Sequence, residues 1–467
     1  MLEITPYAPI IGGNYADPSM LRVGDHYYMT HSSYKLTPGL IIWQSSDLIS
    51  WRPAAAALQQ YIGDVWAPDF TEYKGTYYIY FPANRSNWVV TASHPTGPWS
   101  QPIDLGIKGI DPGHTVGQDG KRYLHMSGGY IVELAEDGLS VAGVPRHVYE
   151  SWRYPDDWEV EAFSLEGPKV TFHNGYYYLT VAIGGTAGPP TSHMAVSSRS
   201  RTPLGPWEHS PYNPIIHTES AEERWWSKGH GSLIDSPDGQ WWIVYHAYLN
   251  GFHTLGRQTL LEPIKWMEDG WFKTAPSRLD VPPPVIARER FNGDALPLNW
   301  QCEGFSPSDR FRTGPAGLSV EGASASAPLL YMPAHERYEI EAEVSVEGDA
   351  EARVLLYYNE EAYFGIGLNA AGVRHFRSFK NYSTMPGDTR KAWIRIRNDA
   401  HIVSLFYSFD GIFWSKYDKV IDASGFHHNT FGGFLSLRVG LDTVGDGRAT
   451  FHSFTYAPLT NVGGNRT

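Results

Sequence analysis

One cysteine in 467 residues, Cys302, excludes an intrachain disulfide framework and any zinc site built on several thiolates. Positive charge is also scarce, with 37 Lys and Arg against 50 Asp and Glu, a formal net charge of −13. A phosphate-binding surface needs a basic patch, so nucleic-acid recognition is excluded as the main function. No apolar run approaches the length of a membrane span, which excludes a spanning helix. The opening "MLEITPYAPIIGG" lacks a basic n-region and an apolar h-region, so no secretory signal is read there. A cytoplasmic protein is expected, or a secreted one if a leader has been trimmed.

Aromatic side chains make up 14% of the residues, and 47 Gly and 33 Pro accompany them. That mixture suits many short strands joined by tight turns, an all-β architecture. The length exceeds one compact core and implies two domains, or three. An acidic chain with many aromatics suits a neutral ligand with apolar faces, and sugars are one such class.

Self-comparison finds one hairpin five times: "GDHYYMTHSS" (24–33), "KGTYYIYFPA" (74–83), "DGKRYLHMSGG" (119–129), "NGYYYLTVAIGG" (174–185) and "DGQWWIVYHAY" (238–248). Their turn glycines lie 51, 45, 55 and 64 residues apart, periods that fit four-stranded propeller blades with loops. A sandwich with coincidentally similar hairpins is the competing reading. Five blades are expected.

Upstream of each turn glycine stands a polar signature, led by Asp17, Asp69, Asp111, Glu166 and His230. Any one of these carboxylates could simply cap a turn through its own backbone. Four at matching repeat positions point instead to a shared site on the propeller axis, because clustered like charges are costly and seldom kept without use. Two uses compete: caging a hard cation, and general acid–base chemistry between neighbouring carboxylates.

In chain order, "NYADPS", "HYYMTHSSYKLTPGLIIWQSSDLISW", "VWAPDF", "GIDPGHTVGQDGKRYL", "LEGPKVTFHNGYYYL", "KGHGSLIDSPDGQWWIVYHAY" and "LGRQTLLEPIKW" resemble the motifs of glycoside hydrolase family 43 over residues 1–275. The resemblance implies a five-bladed β-propeller that hydrolyses pentose-containing glycans with inversion, as β-xylosidase or α-L-arabinofuranosidase. "SSYKLTPGL" is similar to the β-xylosidase branch in particular. Carried onto this chain, the family's general base falls on Asp17, its acid on Glu166 and its pKa-modulating aspartate on Asp111. Pro112-Gly113 stands where that branch has Ala-Ser. Asp69 corresponds to a supporting position. Tyr34 and Trp66 fall where the family has aromatic walls, with buried core rings as the alternative. Arg257 resembles an arginine that hydrogen-bonds sugar hydroxyls and balances the carboxylates, against the reading of a surface salt bridge. His230 is similar to an axial histidine that holds calcium through water in several members, against that of a satisfied core histidine. No cofactor is required by this reading, and Ca2+ at the axis is admitted.

The repeats stop near residue 275, and "SRLDVPPPVIARERF" (277–291) reads as a Pro-rich linker. Beyond it, "RYEIEAEVSVEG" alternates to put Tyr338, Ile340, Ala342, Val344 and Val346 on one face, and 401–417 reads as a hairpin over Asp410-Gly411. A propeller over 1–285 and a β-sandwich over 286–467 are expected, the latter resembling the concanavalin-like domain attached to β-xylosidases of the family. Within it, "FRSFKNYSTMPG" (376–387) offers Phe379 and Tyr382 as rings to wall the pocket. The whole describes an inverting exo-acting β-D-xylosidase with α-L-arabinofuranosidase activity on an oligosaccharide substrate. An exo-galactosidase of the same fold and a non-catalytic sugar-binding propeller are the rivals. No membrane or nucleic-acid partner is expected, and a homo-oligomer is admitted.

Overall fold

A computed structural model describes residues 8–275, 279–283, 285–378, 380–387 and 389–459. By internal contacts the chain divides into two compact units, Met1–Gly251 with Arg257–Pro282 and Phe252–Gly256 with Pro283–Thr467. The described residues are almost entirely β; their only α-helix is the single turn His428–Phe431. No helix among them is long and apolar enough to cross a membrane.

The first unit is a five-bladed β-propeller. Each blade is an antiparallel sheet whose strands follow one another in sequence, starting innermost at Ser19–Val23, Asp69–Tyr73, Gly113–Val116, Glu166–His173 and Trp225–Asp235. These five inner strands neighbour one another around the axis and close the ring. The repeated hairpins form because Lys74-Gly75 and Asn174-Gly175 take the paired left-handed conformations of a tight two-residue turn. The aromatic strands behind them are buried, and the layers between blades hold the core. Tyr28, Ile42, Phe70, Ile79 and Phe81 fill one such layer, and Tyr78, Tyr80, Val89, Leu124 and Val132 fill the next.

Ring closure depends on the N-terminal segment. Ile11 bridges Thr259, Asn14 Oδ1 accepts from the Arg257 backbone N–H at 3.0 Å, and the Tyr15 N–H donates to the Arg257 carbonyl at 3.0 Å. That pairing sets residue 17 beside residue 257.

The second unit consists of two antiparallel sheets whose strands lie against one another. Alternation in Arg337–Gly348 buries Tyr338, Ile340, Ala342, Val344 and Val346 together, as the pattern predicts. The expected hairpin is present as Ile402–Ser408 paired with Ser415–Asp422.

Candidate active site

Three inner-strand positions, two just ahead of their strands and one at a register shift within Trp225–Asp235, share one unusual backbone shape. Asp17, Asp111 and His230 have φ of 59°, 57° and 56°, in the left-handed region that non-glycine residues seldom occupy. Gly167 supplies the same conformation in the fourth blade, at φ 61°. A Cβ there would lie 3.0 Å from the His230 ring, so glycine also allows the ring's close approach. Asp17, Asp111, Gly167 and His230 are therefore the equivalent positions, and Glu166 stands one residue ahead of its counterparts. Asp69 follows the matching proline instead and lies two positions further along its strand.

That offset changes the grouping read from the sequence. Asp69 is absent from the ligands around Asp17 and forms a separate buried knot. Its Oδ1 lies 2.9 Å from Lys169 Nζ, and its Oδ2 accepts from the His114 N–H at 2.8 Å. Lys169 also donates to the Pro68 and Pro112 carbonyls, so one ammonium ties three neighbouring inner strands together. Gly113 fits the same crowding, since a Cβ there would meet the Pro168 carbonyl oxygen at 2.0 Å. This accounts for glycine at position 113, and nothing in the structure explains Pro112.

Asp17 is buried and surrounded by donors. Ser32 Oγ donates to its Oδ2 at 2.5 Å, and Arg257 donates to its Oδ1 at 3.3 Å. His246 Nδ1 lies 3.1 Å and His230 Nδ1 3.3 Å from the same Oδ1, while the Asp17 backbone N–H donates to His246 Nδ1 at 3.0 Å. Burial works against ionising Asp17, yet Arg257 and its neighbours outweigh it and hold the carboxyl well below the usual range. Burial pushes His230 down to about 3 and His246 to about 4, so both are neutral near pH 7. The full positive charge facing Asp17 is thus that of Arg257.

Glu166 and Asp111 form a coupled pair with the opposite tendency. Burial, then the charges of Asp111 and Asp17, push Glu166 above the usual carboxylate range. Burial and Asp17 also raise Asp111. The Gly167 N–H donates to Asp111 Oδ2 at 2.9 Å, however, and this bond favours the ionised form of Asp111. Of the two, Glu166 has no such bond favouring its ionised form among the described residues and is the carboxyl more readily held protonated. One carboxylate held ionised and a neighbouring one held protonated is the pairing that general base and general acid chemistry needs.

The aromatic residues divide. Tyr34 is buried, and its hydroxyl accepts from Arg257 at 2.5 Å, so it steadies the guanidinium. Trp66 is 43% exposed and is the only tryptophan among the exposed described residues. Tyr382 belongs to the second unit and stacks on His375 at 4.6 Å, while Phe379 lies outside the described residues. Sequence reading missed His246 and Lys169. His246 stands alone inside the aromatic strand Trp241–Leu249, and that isolation was the available signal, whereas Lys169 shares its strand with Glu166, Thr171 and His173.

A metal would find one carboxylate oxygen and two imidazole nitrogens, from Asp17, His230 and His246, within 4.8 Å of one another. Calcium prefers six to eight oxygens, and a guanidinium already occupies the same Asp17 oxygen. Direct calcium ligation does not fit this set. His230 Nε2 is buried without a hydrogen-bond partner among the described residues, which leaves it free to meet a water.

The model of the glycosyl hydrolases family 43 matches residues 7–272. A xylan 1,3-beta-xylosidase from a Vibrio species is 32% identical over 339 residues, 62% of this chain and 60% of that protein. A non-reducing end alpha-L-arabinofuranosidase from Bacteroides ovatus is 31% identical over 331 residues, again 62% of this chain and 60% of the relative. The matched part thus spans about 60% of the length of these two relatives. A variant of a GH43 protein from Bacillus licheniformis superposes with a TM-score of 0.87 at 25% identity, covering 97% of this chain and 99% of that one. The propeller, the order of its motifs and the match over residues 7–272 agree: the chain belongs to glycosyl hydrolases family 43.

Proposed function

We propose that the protein is an inverting, exo-acting glycoside hydrolase that releases terminal pentose, as a β-D-xylosidase with α-L-arabinofuranosidase activity. The observation that carries the reading is the opposed tendency of two carboxylates at one site, buried Asp17 held ionised beside Arg257 and half-buried Glu166 held protonated beside Asp111. Asp17 takes a proton from water as that water attacks the anomeric carbon. Glu166 gives its proton to the departing glycosidic oxygen as the bond breaks. Inversion follows because water and leaving group stand on opposite faces of the sugar. Asp111 maintains the proton on Glu166 through its charge and fixes the neighbouring backbone through Gly167. Arg257, steadied by Tyr34, balances Asp17 and offers donors to sugar hydroxyls, and the exposed ring of Trp66 offers a sugar face a platform. The names of the two curated relatives, a xylosidase and an arabinofuranosidase, support the choice of pentose.

The test is a panel of nitrophenyl xylopyranoside, arabinofuranoside and galactopyranoside compared by kcat/KM, with proton NMR of the first-formed anomer. Highest kcat/KM on the xylopyranoside and an α-xylose first product are expected. Preference for galactopyranoside, or a β-xylose first product, would overturn the sugar or the stereochemistry respectively.

The calcium part of the proposal is narrower: an ion at the axis would be held through water at His230 Nε2, never directly. Chelation should then lower Tm and calcium alone should restore it, while an unmoved Tm assigns that nitrogen to water.

A further inference from the structure

The hairpin joining Arg122–Met126 to Tyr130–Leu134 in the third blade turns through Ser127, Gly128 and Gly129. The Ser127 N–H donates to the Ile110 carbonyl at 3.0 Å, and the Gly128 N–H donates to the Leu165 carbonyl at 2.8 Å. Ser127 Oγ accepts from the Ile110 N–H at 3.3 Å, so Ile110 is held at both of its backbone groups. Ile110 immediately precedes Asp111, and Leu165 immediately precedes Glu166. One short turn thus grips the chain directly ahead of two carboxylates that belong to different blades.

The turn itself has little freedom. A Cβ on Gly129, at φ 77°, would lie 2.0 Å from the Tyr149 carbonyl oxygen, so glycine alone lets the turn pack there. The Val148 N–H donates to the Gly129 carbonyl at 3.0 Å and fixes the turn from its other side. Ser127, Gly129, Leu165 and Glu166 all line one void of about 10 Å³, room for roughly a single water. The segment bearing Glu166 therefore has little slack against the turn. Across the pair, the Gly167 N–H donates to Asp111 Oδ2 at 2.9 Å and closes the circuit of restraints. Apart from that aspartate oxygen, Ser127 Oγ is the one side-chain atom in the circuit.

We propose that the Ser127–Gly129 turn is a clamp that sets the spacing of Asp111 and Glu166, and that Ser127 is a positioning residue for the general acid. The inference rests on the reading of Glu166 as the acid and adds the element that holds it in place. Neighbouring carboxylates repel and gain by separating into water, so keeping them together needs a restraint outside the pair. The charged groups facing Glu166 are Asp111, Asp17, Arg257 and Glu161, while His125 and Tyr149 share its void. Burial pushes His125 down to about 3 and raises Tyr149, so both are neutral near pH 7. Ser127 carries no charge either. Replacing it alters the titration of Glu166 only through position and access of water.

The carboxyl titration of Glu166 decides the matter independently of turnover. It is read by NMR of protein carrying carbon-13 at the glutamate carboxyls, with Glu166→Gln to assign the signal. In Ser127→Ala the Glu166 midpoint is expected to move down the pH axis by about 0.5 or more, because a slack clamp separates Asp111 from Glu166 and admits water. Ser127→Thr keeps the hydroxyl and should leave the midpoint in place. In turnover, Ser127→Ala should lower kcat on xylobiose about three- to tenfold, the fold-change of one lost hydrogen bond, with KM little changed. The loss on an activated aryl xyloside should be clearly smaller, since that leaving group needs little protonation. An unmoved midpoint overturns the proposal, and so does an equal kcat loss on both substrates or a fall in Tm alone. A wild-type enzyme that hydrolyses no glycoside would count against the hydrolase reading, while the titration still decides whether the clamp spaces the two carboxylates.

Discussion

Asp17 and Glu166 are the same chemical group under opposite control. Asp17 faces a guanidinium at 3.3 Å and a hydroxyl at 2.5 Å, whereas Glu166 is half-buried and faces the charges of Asp111 and Asp17. Activity therefore requires a pH above the lowered value of Asp17 and below the raised value of Glu166, a window that spans neutrality. Asp17→Asn and Glu166→Gln should each reduce kcat on xylobiose by about 10²–10⁴-fold, the usual worth of general acid–base catalysis. On an activated aryl glycoside the Glu166→Gln loss should be clearly smaller than the Asp17→Asn loss, since a good leaving group needs little protonation. Equal losses on both substrates would remove the role assignment. Asp111→Asn subtracts a negative neighbour, so less keeps the proton on Glu166, and the basic limb of the kcat/KM profile should move to lower pH. A limb that stays in place would leave Asp111 with only its bond to the Gly167 N–H.

Five aromatic hairpins were legible in the sequence because turn chemistry and strand alternation are local properties. Their exact correspondence was not. The register shift between Glu166 and Lys169 and the left-handed residue shared by four of the five inner-strand segments are backbone facts without a fixed residue type. Aspartate, glycine and histidine all occupy that position, so aligning the leading polar residues set Glu166 one place off and Asp69 two. Lys169 could not be assigned for a related reason: it is one cation in a strand of mixed polar and apolar residues, and its partner lies 100 residues away. The inner strands make its importance testable. With Lys169 and Asp69 side chains only 5% and 11% exposed, Lys169→Met strands a buried carboxylate and should destabilise the propeller by about 3–5 kcal/mol in urea melts. Adding Asp69→Leu should recover much of that loss, because the uncompensated charge is gone. A double variant as unstable as the single one would show that packing, not charge, dominates at this knot.

At the scale of the whole molecule, the ring brings together residues that the sequence keeps 240 positions apart. The N-terminal segment pairs with the strand beginning at Arg257, and this closure delivers the guanidinium to Asp17. Repeats announce a ring, but nothing local announces which end segment seals it, so the Asp17–Arg257 pair was reachable only through family resemblance. The same scale separates two kinds of charge. The formal net charge of −13 is a surface property, open to salt screening, whereas Asp17 and Arg257 are each 8% exposed at the side chain and shielded from mobile ions. From roughly 0.01 to 1 M salt the Debye length falls from about 30 to about 3 Å, which erases long-range steering by the surface. A neutral oligosaccharide feels no such steering, and the buried pair keeps its interaction at every salt concentration. kcat/KM on xylobiose should therefore change by less than about twofold across that range, after correction for salt effects on the substrate alone. An acidic, uronate-bearing substrate should instead gain with added salt, as repulsion from the net negative surface is screened. A steep salt dependence on the neutral sugar would mean that surface charge takes part in productive binding, and the division between screened surface and insulated site would fail.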